Sequence, residues 1–166
     1  MIDNLNFIYP EIFISLSIMF LLLLGVFKKN SNSIVYNFSI IFLIFTLALI
    51  FNHPLHSNIN LFNDSYEINF FSSFMKILTI SSGSFVLIAS SKYLKIFKIF
   101  QIEYSILLLS SILGMMVMIS SNDLIVFYIG LELQSLSLYV LASFNRDQIK
   151  SSESGLKYFI LSALSS

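Results

Sequence analysis

The apolar residues of this 166-residue chain come in blocks long enough to cross a membrane, with short polar stretches between the blocks. A helix needs about 20 mainly apolar residues to span the hydrocarbon core of a bilayer, which is about 30 Å thick. Charged residues make up 11% of the chain and apolar residues 57%, whereas a soluble domain carries about a quarter charged residues. The pattern therefore predicts an all-α membrane protein and excludes an ordinary soluble fold.

Six such blocks are present, and we expect each to form a transmembrane helix. Their bounds are about 7–27, 34–51, 70–89, 104–119, 124–144 and 153–166. The loops are too short for a second domain, so residues 1–166 are expected to form a single transmembrane domain. The sixth block is still running at the last residue, which indicates an incomplete fold. Either a second chain continues the fold, as a split gene would require and as we expect, or the chain is a truncated remnant.

Among the loops, only those after the first, third and fifth blocks carry basic residues. They are Lys28, Lys29, Lys92, Lys95, Lys98, Arg146 and Lys150. Lysine and arginine gather in loops on the side of the membrane where the protein is made. The distribution predicts an amino terminus on the opposite, outer side. The first block lacks the basic leader of a cleaved signal peptide, so we expect it to remain as a helix.

Several kinds of site are not expected. The chain has no cysteine, which excludes disulfides and thiolate-held iron–sulfur clusters. Its formal net charge is zero and no basic patch is present, so nucleic acid is not an expected partner. His53 and His56 have a spacing that could hold a metal, but no third ligand is evident, and exposure to solvent is the simpler interpretation. Nothing in the sequence indicates covalent chemistry.

One acidic residue, Glu132, falls in the middle of the fifth block. Tyr128, Ser135 and Tyr139 follow the same helical face, at spacings of four, three and four residues. A charge at mid-bilayer costs from about 3 to above 10 kcal/mol and marks a functional candidate. Burial favours the neutral carboxyl and a nearby cation the charged one, so Glu132 is predicted to exchange protons. The alternative is a protonated packing residue, hydrogen-bonded across a helix interface.

Other polar residues in the apolar blocks have simpler interpretations. Lys157 lies about one turn inside the sixth block, and either snorkels to the surface or acts as a buried cation coupled to Glu132 through water, because their depths differ by about 10 Å. Lys76 is expected to snorkel from the outer end of the third block. Glu153 is expected to favour the amino-terminal end of helix six through the helix dipole. Residues 81–84 are small and predict close helix packing.

The last quarter of the chain carries a recognisable pattern. Residues 132–141 read ELQSLSLYVL, within the run 121–141, and residues 155–161 read GLKYFIL, within 153–166. These runs resemble the chain-2 family of antiporter-like subunits of NADH–ubiquinone oxidoreductase, respiratory complex I. Pro10-Glu11 and residues 73–78 agree with that family more loosely. The residues of these two runs resemble chain 2 more than the related chains 4 and 5.

The resemblance implies a function. Subunits of this family are helical bundles with two inverted repeats, and they take part in proton translocation coupled to NADH:ubiquinone electron transfer. Glu132 would be the acid of helix five, whose partner is a lysine on helix seven, and Lys157 would modulate it or pass protons. Tyr128, Ser135 and Tyr139 would support this path. The family holds NADH, FMN, iron–sulfur clusters and ubiquinone on other subunits, which implies no cofactor in this chain and enzyme activity only as part of the complex.

The implied partners are the other membrane-arm subunits, a second chain that supplies the remaining helices, and the lipid bilayer. A composition rich in Phe, Ile, Asn and Lys, with Arg146 as the single arginine, suits an AT-rich organellar genome. The sequence therefore predicts the mitochondrial inner membrane, with the amino terminus on the intermembrane-space side. Two other functions stay open, a structural membrane subunit that does not conduct protons and a fragment of a cation/proton antiporter.

Overall fold

The computed structural model describes residues 8–28, 31–52, 59–97, 99–145 and 148–165. Within these ranges the chain forms six helices: α1 (Tyr9–Phe27), α2 (Asn32–Phe51), α3 (Phe70–Ile96), α4 (Ile102–Ile119), α5 (Leu124–Ala142) and α6 (Ile149–Ser165). The predicted helical class is thus confirmed. His53 and His56, together with Lys29, Lys98 and Arg146, lie outside the described residues.

Five of these helices, α1 to α5, are long and apolar enough to cross a membrane. A helix satisfies its own backbone hydrogen bonds, which is why it can cross lipid. α3 extends beyond the predicted block. It has 27 residues and is about 40 Å long. Its last turns carry Lys92 and Lys95, both exposed, past the length that the hydrocarbon core requires.

Local signals account for the helix starts. Pro10 lies in the first turn of α1, where its missing N–H removes no intrahelical bond. At the start of α3, the Asn69 side chain accepts a hydrogen bond from Ser72 N at 2.7 Å, and Ser72 Oγ accepts one from Asn69 N at 2.9 Å. This reciprocal pair is a capping box. Asp123 caps α5 in a similar way, accepting from Ile125 N at 3.4 Å.

The apolar core lies among α1, α2, α3 and α4. Its fully buried side chains include Ile14, Leu21, Leu43, Ile80, Leu87, Leu109, Ile112 and Met116. Gly83 belongs to the small-residue run of α3 and is buried, and a Cβ there would clash with Ile112 Cδ1. The predicted close packing therefore holds at Gly83, whereas Ser81 and Ser82 are exposed.

α5 packs mainly on α4, through two glycines. A Cβ on Gly114 would lie 2.7 Å from Gln134 N and 2.8 Å from Gly130 O. A Cβ on Gly130 would lie 2.9 Å from Met118 N. Because the clashing atoms belong to the backbone, only glycine lets the two helices approach this closely. The glycine contact fixes α5, and with it Glu132, against the core.

A two-stranded antiparallel hairpin follows α2, where the sequence predicts only a long loop. β1 (Ile59–Leu61) pairs with β2 (Tyr66–Ile68), with Ile59 opposite Ile68 and Leu61 opposite Tyr66. Leu61, Tyr66 and Ile68 are buried and pack against Ile8, Ile59 and Val126. Since Ile8 precedes α1 and Val126 lies on α5, the hairpin covers one end of the bundle.

Candidate functional site

Glu132 lies eight residues after the first residue of α5 and is partly buried. This places it about 12 Å along the helix, near the middle of a membrane span. Its backbone carbonyl accepts a hydrogen bond from Ser135 Oγ at 3.1 Å. In the part of the chain that the structure describes, its carboxyl group has no ion-pair partner. Glu132 is therefore a carboxyl at mid-membrane whose charge no described cation neutralises.

The predicted polar face of α5 does not act as one cluster. Tyr128 is about half exposed, whereas Tyr139 is 7% exposed and turned toward α6. The Tyr139 hydroxyl donates a hydrogen bond to Ser162 Oγ, and its ring meets Tyr158 edge-on with centroids 4.8 Å apart. Tyr139 thus joins α5 to α6, and Ser135 bonds within its own helix.

A second polar link joins α5 to α4. Ser137 Oγ and Ser110 Oγ lie 2.8 Å apart, and Ser137 is buried. Sequence reasoning missed Ser137, although it lies in the same ELQSLSLYVL run and is the next polar residue after Ser135. Each hydroxyl also lies 2.8 Å from a carbonyl oxygen of its own helix, Leu107 O for Ser110 and Leu133 O for Ser137, so the pair ties α5 to α4.

Lys157 is exposed and does not contact Glu132. Its Nζ lies 2.5 Å from Glu153 Oε1, one turn earlier on α6, and the two side chains are 69% and 56% exposed. The prediction that Glu153 serves the helix dipole is wrong, because α6 begins at Ile149 and no acid lies in its first turn. Lys157 and Glu153 therefore balance each other's charge at the surface of α6.

A cleft of about 500 Å³ opens between the start of α4 and the facing ends of α5 and α6. Its polar lining residues are Glu103, Tyr139, Ser143 and Ser152. α5 begins at the hairpin end of the bundle, so this cleft lies at the other end. The cleft brings water-accessible polar groups to Tyr139, about two turns from Glu132 along α5.

The largest departure from expectation is a buried ion pair between α1 and α3. Lys76 Nζ lies 2.6 Å from Glu11 Oε1, and the two side chains are only 4% and 7% exposed. The prediction that Lys76 snorkels is therefore wrong: a buried carboxylate on the neighbouring helix holds the ammonium inside the protein. Opposite charges near the outer ends of blocks one and three were the signal available in the sequence.

Tyr66 of the hairpin completes this site. Its hydroxyl donates to Glu11 Oε1 at 2.8 Å and accepts from Lys76 Nζ at 3.3 Å. Burial, followed by the nearby Glu11 carboxylate, raises the pKa of Tyr66 well above its usual value. Tyr66 therefore keeps its proton and remains a hydrogen-bond donor throughout the physiological range. We call Glu11, Tyr66 and Lys76 the outer triad.

Metal binding finds no support here. Among the residues that the structure describes, no group of three His, Cys, Asp or Glu side chains is placed to hold a metal ion. His53 and His56 are not among them.

Three comparisons place these features among known proteins. A family model described as NADH:quinone oxidoreductase/Mrp antiporter, TM, matches residues 121–166, which include Glu132 and Lys157. The NADH-quinone oxidoreductase subunit N of Pelagibacter ubique is 76% identical over 99% of this chain and 35% of its own length. Subunit N of Bartonella bacilliformis is 46% identical over 99% of this chain and 34% of its own length.

A solved structure agrees in fold. A chain of respiratory complex I from Thermus thermophilus, determined with bound aureothin, superposes with a TM-score of 0.78 at 22% identity, over 93% of this chain and 33% of that chain. The chain thus spans about a third of the length of the relatives it matches. The resemblance to the antiporter-like subunits of complex I, drawn from residues 121–141 and 153–166, is confirmed.

Proposed function

We propose that this chain belongs to the antiporter-like subunit N family and forms part of the membrane arm of a NADH:quinone oxidoreductase. There it takes part in proton translocation coupled to electron transfer from NADH to quinone. The observation that carries the proposal is Glu132, a partly buried carboxyl near the middle of α5 with no described ion-pair partner. The 76% identity to a subunit N over 99% of the chain supports its place in such an oxidoreductase.

Glu132 takes up and releases the translocated proton. Low dielectric penalises an isolated charge, and a cation that approaches the carboxyl offsets that penalty. In this structure, Glu153 balances the charge of Lys157 at the surface of α6. Lys157 influences Glu132 over a distance, through water, and a lysine beyond the described residues would be the closer partner.

Protons enter from the cleft between α4, α5 and α6. The cleft reaches the buried Tyr139 hydroxyl, and Ser135 lies one turn from Tyr139 toward Glu132. Tyr139 bonds to Ser162 and Ser135 to a backbone carbonyl, so water would have to complete the relay between these hydroxyl groups, each of which can donate and accept. Tyr128 lies one turn beyond Glu132 toward the hairpin end, where it supports the outer half of the path.

The rest of the path comes from residues beyond these 166, since the relatives are about three times as long. Those residues lie on the same polypeptide or on a second chain, as a split subunit would require. NADH, FMN, iron–sulfur clusters and ubiquinone are bound by other subunits of the complex. The other membrane-arm subunits and the bilayer cover the exposed apolar faces of α5 and α6.

The amino terminus lies on the outer side of the membrane, a proposal supported by the alternating basic loops. Lys92 and Lys95, exposed at the end of α3, then face the inner side. The mitochondrial inner membrane stays a hypothesis. The compared relatives are bacterial and favour the corresponding bacterial membrane. The side on which protons enter is the same in either case.

A second candidate is a part of a cation/proton antiporter. The matching family model covers both NADH:quinone oxidoreductases and Mrp antiporters, so the helical pattern alone fits either. The relatives that share 76% and 46% identity with this chain are subunits of NADH-quinone oxidoreductases, which favours the oxidoreductase. A structural subunit that does not conduct protons is disfavoured, because Glu132 is a carboxyl at mid-membrane with no ion-pair partner among the described residues, and such groups mark functional sites.

The assignment to the complex is tested by gentle detergent extraction of native membranes, native gel separation, and mass spectrometry of the band that contains this chain. We expect the chain to migrate with NADH dehydrogenase activity and with peptides of the other membrane-arm subunits. Finding it alone, or in a complex without NADH oxidation, would contradict the proposal and favour the antiporter.

A further inference from the structure

The outer triad is a buried charged site that the proposed proton path does not use. Desolvating an ion pair is costly, so a buried pair is weak evidence of net stabilisation, and in some proteins it serves to fix one particular arrangement. Glu11 Oε1 receives both the Lys76 ammonium and the Tyr66 hydroxyl, which joins α1, α3 and β2 at one oxygen atom. The triad thus ties the hairpin to the helix bundle.

The same hairpin is bonded to the turn that leads into α5. Glu67 N donates to Ser120 O at 2.8 Å, and Asn122 N donates to Ser65 O at 3.0 Å. Asn122 Nδ2 also donates to Asp64 O at 2.8 Å, and Tyr66 forms an antiparallel bridge with Ser121. β2 therefore extends its pairing onto the α4–α5 turn.

α5 starts immediately after this turn. Asp123 caps the helix, and Val126, in the first turn, packs against the buried face of the hairpin. A helix transmits a displacement of its first turn along its axis because its backbone bonds are intrahelical. Glu132 lies about 12 Å along the same helix from its first residue.

We propose that Glu11, Tyr66 and Lys76 are positioning residues, which hold the hairpin on the α4–α5 turn and thereby set the position of Glu132. Tyr66 is the connecting member, because its side chain contacts the ion pair and its backbone contacts the turn. The inference rests on the proposed function for the role of Glu132. The mechanical link itself is independent of that role.

The link is tested in membranes that contain the complete complex, with the paired substitutions Ser65→Cys and Asn122→Cys. These residues flank the bridge between Tyr66 and Ser121, so their Cα atoms lie within the range that a disulfide accepts. The chain has no cysteine of its own. Disulfide formation, read as a change in gel mobility of this chain, reports docking of the hairpin on the turn.

Three substitutions are compared in this background: Tyr66→Phe, Lys76→Met and the control Lys92→Met. Tyr66→Phe keeps the ring and the ion pair but removes the hydroxyl link, so the complex is expected to assemble. We expect disulfide formation to be severalfold slower in Tyr66→Phe and Lys76→Met and unchanged in Lys92→Met, which alters an exposed lysine at the other end of α3. Equal rates in Tyr66→Phe and the parent would overturn the link.

The effect on Glu132 is measured without an assay of pumping. A hydrophobic carbodiimide labels the Glu132 carboxyl, and mass spectrometry of the peptide that contains Glu132 gives the labelling rate. We expect faster labelling in Tyr66→Phe, and a return to the parent rate once the engineered disulfide between positions 65 and 122 has formed. An undocked hairpin with an unchanged labelling rate would overturn the positioning role. Pumping that survives Glu132→Gln would overturn the proposed function and leave both of these measurements standing.

Discussion

Glu11 and Lys76 form an ion pair of 2.6 Å between α1 and α3, with both side chains almost fully buried. Removing one partner of a buried pair costs about 3–5 kcal/mol, because the other charge is left unpaired in a low dielectric. We therefore expect Lys76→Met to lower the thermal stability of the solubilised complex sharply. The double variant Glu11→Gln with Lys76→Met should recover much of that loss, and equal melting of single and double variants would contradict a buried ion pair.

The contact between Gly114 and Gly130 should tolerate no side chain. A methyl group on Gly114 would meet Gln134 N at 2.7 Å, so Gly114→Ala must push α4 and α5 apart, at a cost of about 1–3 kcal/mol. Gly25→Ala is the matched control, because its Cβ meets only the Ile102 side chain, at 3.0 Å. Native gels at increasing temperature measure the difference. Equal tolerance at Gly25 and Gly114 would show that the two helices are not in backbone contact.

The Tyr139 hydroxyl should matter more for proton transfer than for stability. Tyr139→Phe keeps the ring against Tyr158 and Phe159 and removes one hydrogen bond to Ser162, which contributes about 1 kcal/mol. We expect a complex that assembles normally and pumps more slowly. Proton uptake into inverted vesicles, normalised to NADH–ferricyanide activity, measures this. Normal pumping in Tyr139→Phe would remove the hydroxyl from the path.

Lys157 can be changed without disturbing the fold, because it is exposed and its pair with Glu153 lies on a single helix. Such a pair contributes about 0.3–0.5 kcal/mol. A loss of pumping in Lys157→Met would therefore reflect its charge near the path and not misfolding. Lys92→Met, at a similarly exposed site on α3, is the control. We expect reduced pumping in Lys157→Met only, and parallel behaviour of the two variants would assign no role to Lys157.

Much of the fold is readable from the sequence, because lipid leaves few alternatives to the helix. The apolar blocks give the class, and their order gives the succession of α1 to α6. The helix boundaries agree less well with the predicted blocks: α3 continues through Lys92 and Lys95, and α6 starts before Glu153. A helix can continue into the polar residues that follow an apolar block. The mean hydropathy of the block itself is the same in either case, so composition does not reveal where the helix ends.

The helix that carries the candidate residues was predicted, but their contacts were not. Periodicity places Glu132, Ser135 and Tyr139 on one helix, and that helix exists. It does not tell which neighbour each residue contacts, so the links to Ser110 and Ser162 could not be foreseen. The outer triad was missed for the same reason. Tyr66 lies in an apparent loop, and only the hairpin brings it to Glu11 and Lys76.

The most direct test of the central claim is proton pumping by the assembled complex carrying Glu132→Gln. The amide keeps the size and polarity of the side chain and removes its ability to take up a proton. With the amount of complex matched by NADH–ferricyanide activity, we expect NADH-driven proton uptake into inverted vesicles to lose most of its rate. Uptake at the parent rate in a fully assembled Glu132→Gln complex would contradict the assignment of Glu132 as the translocating group.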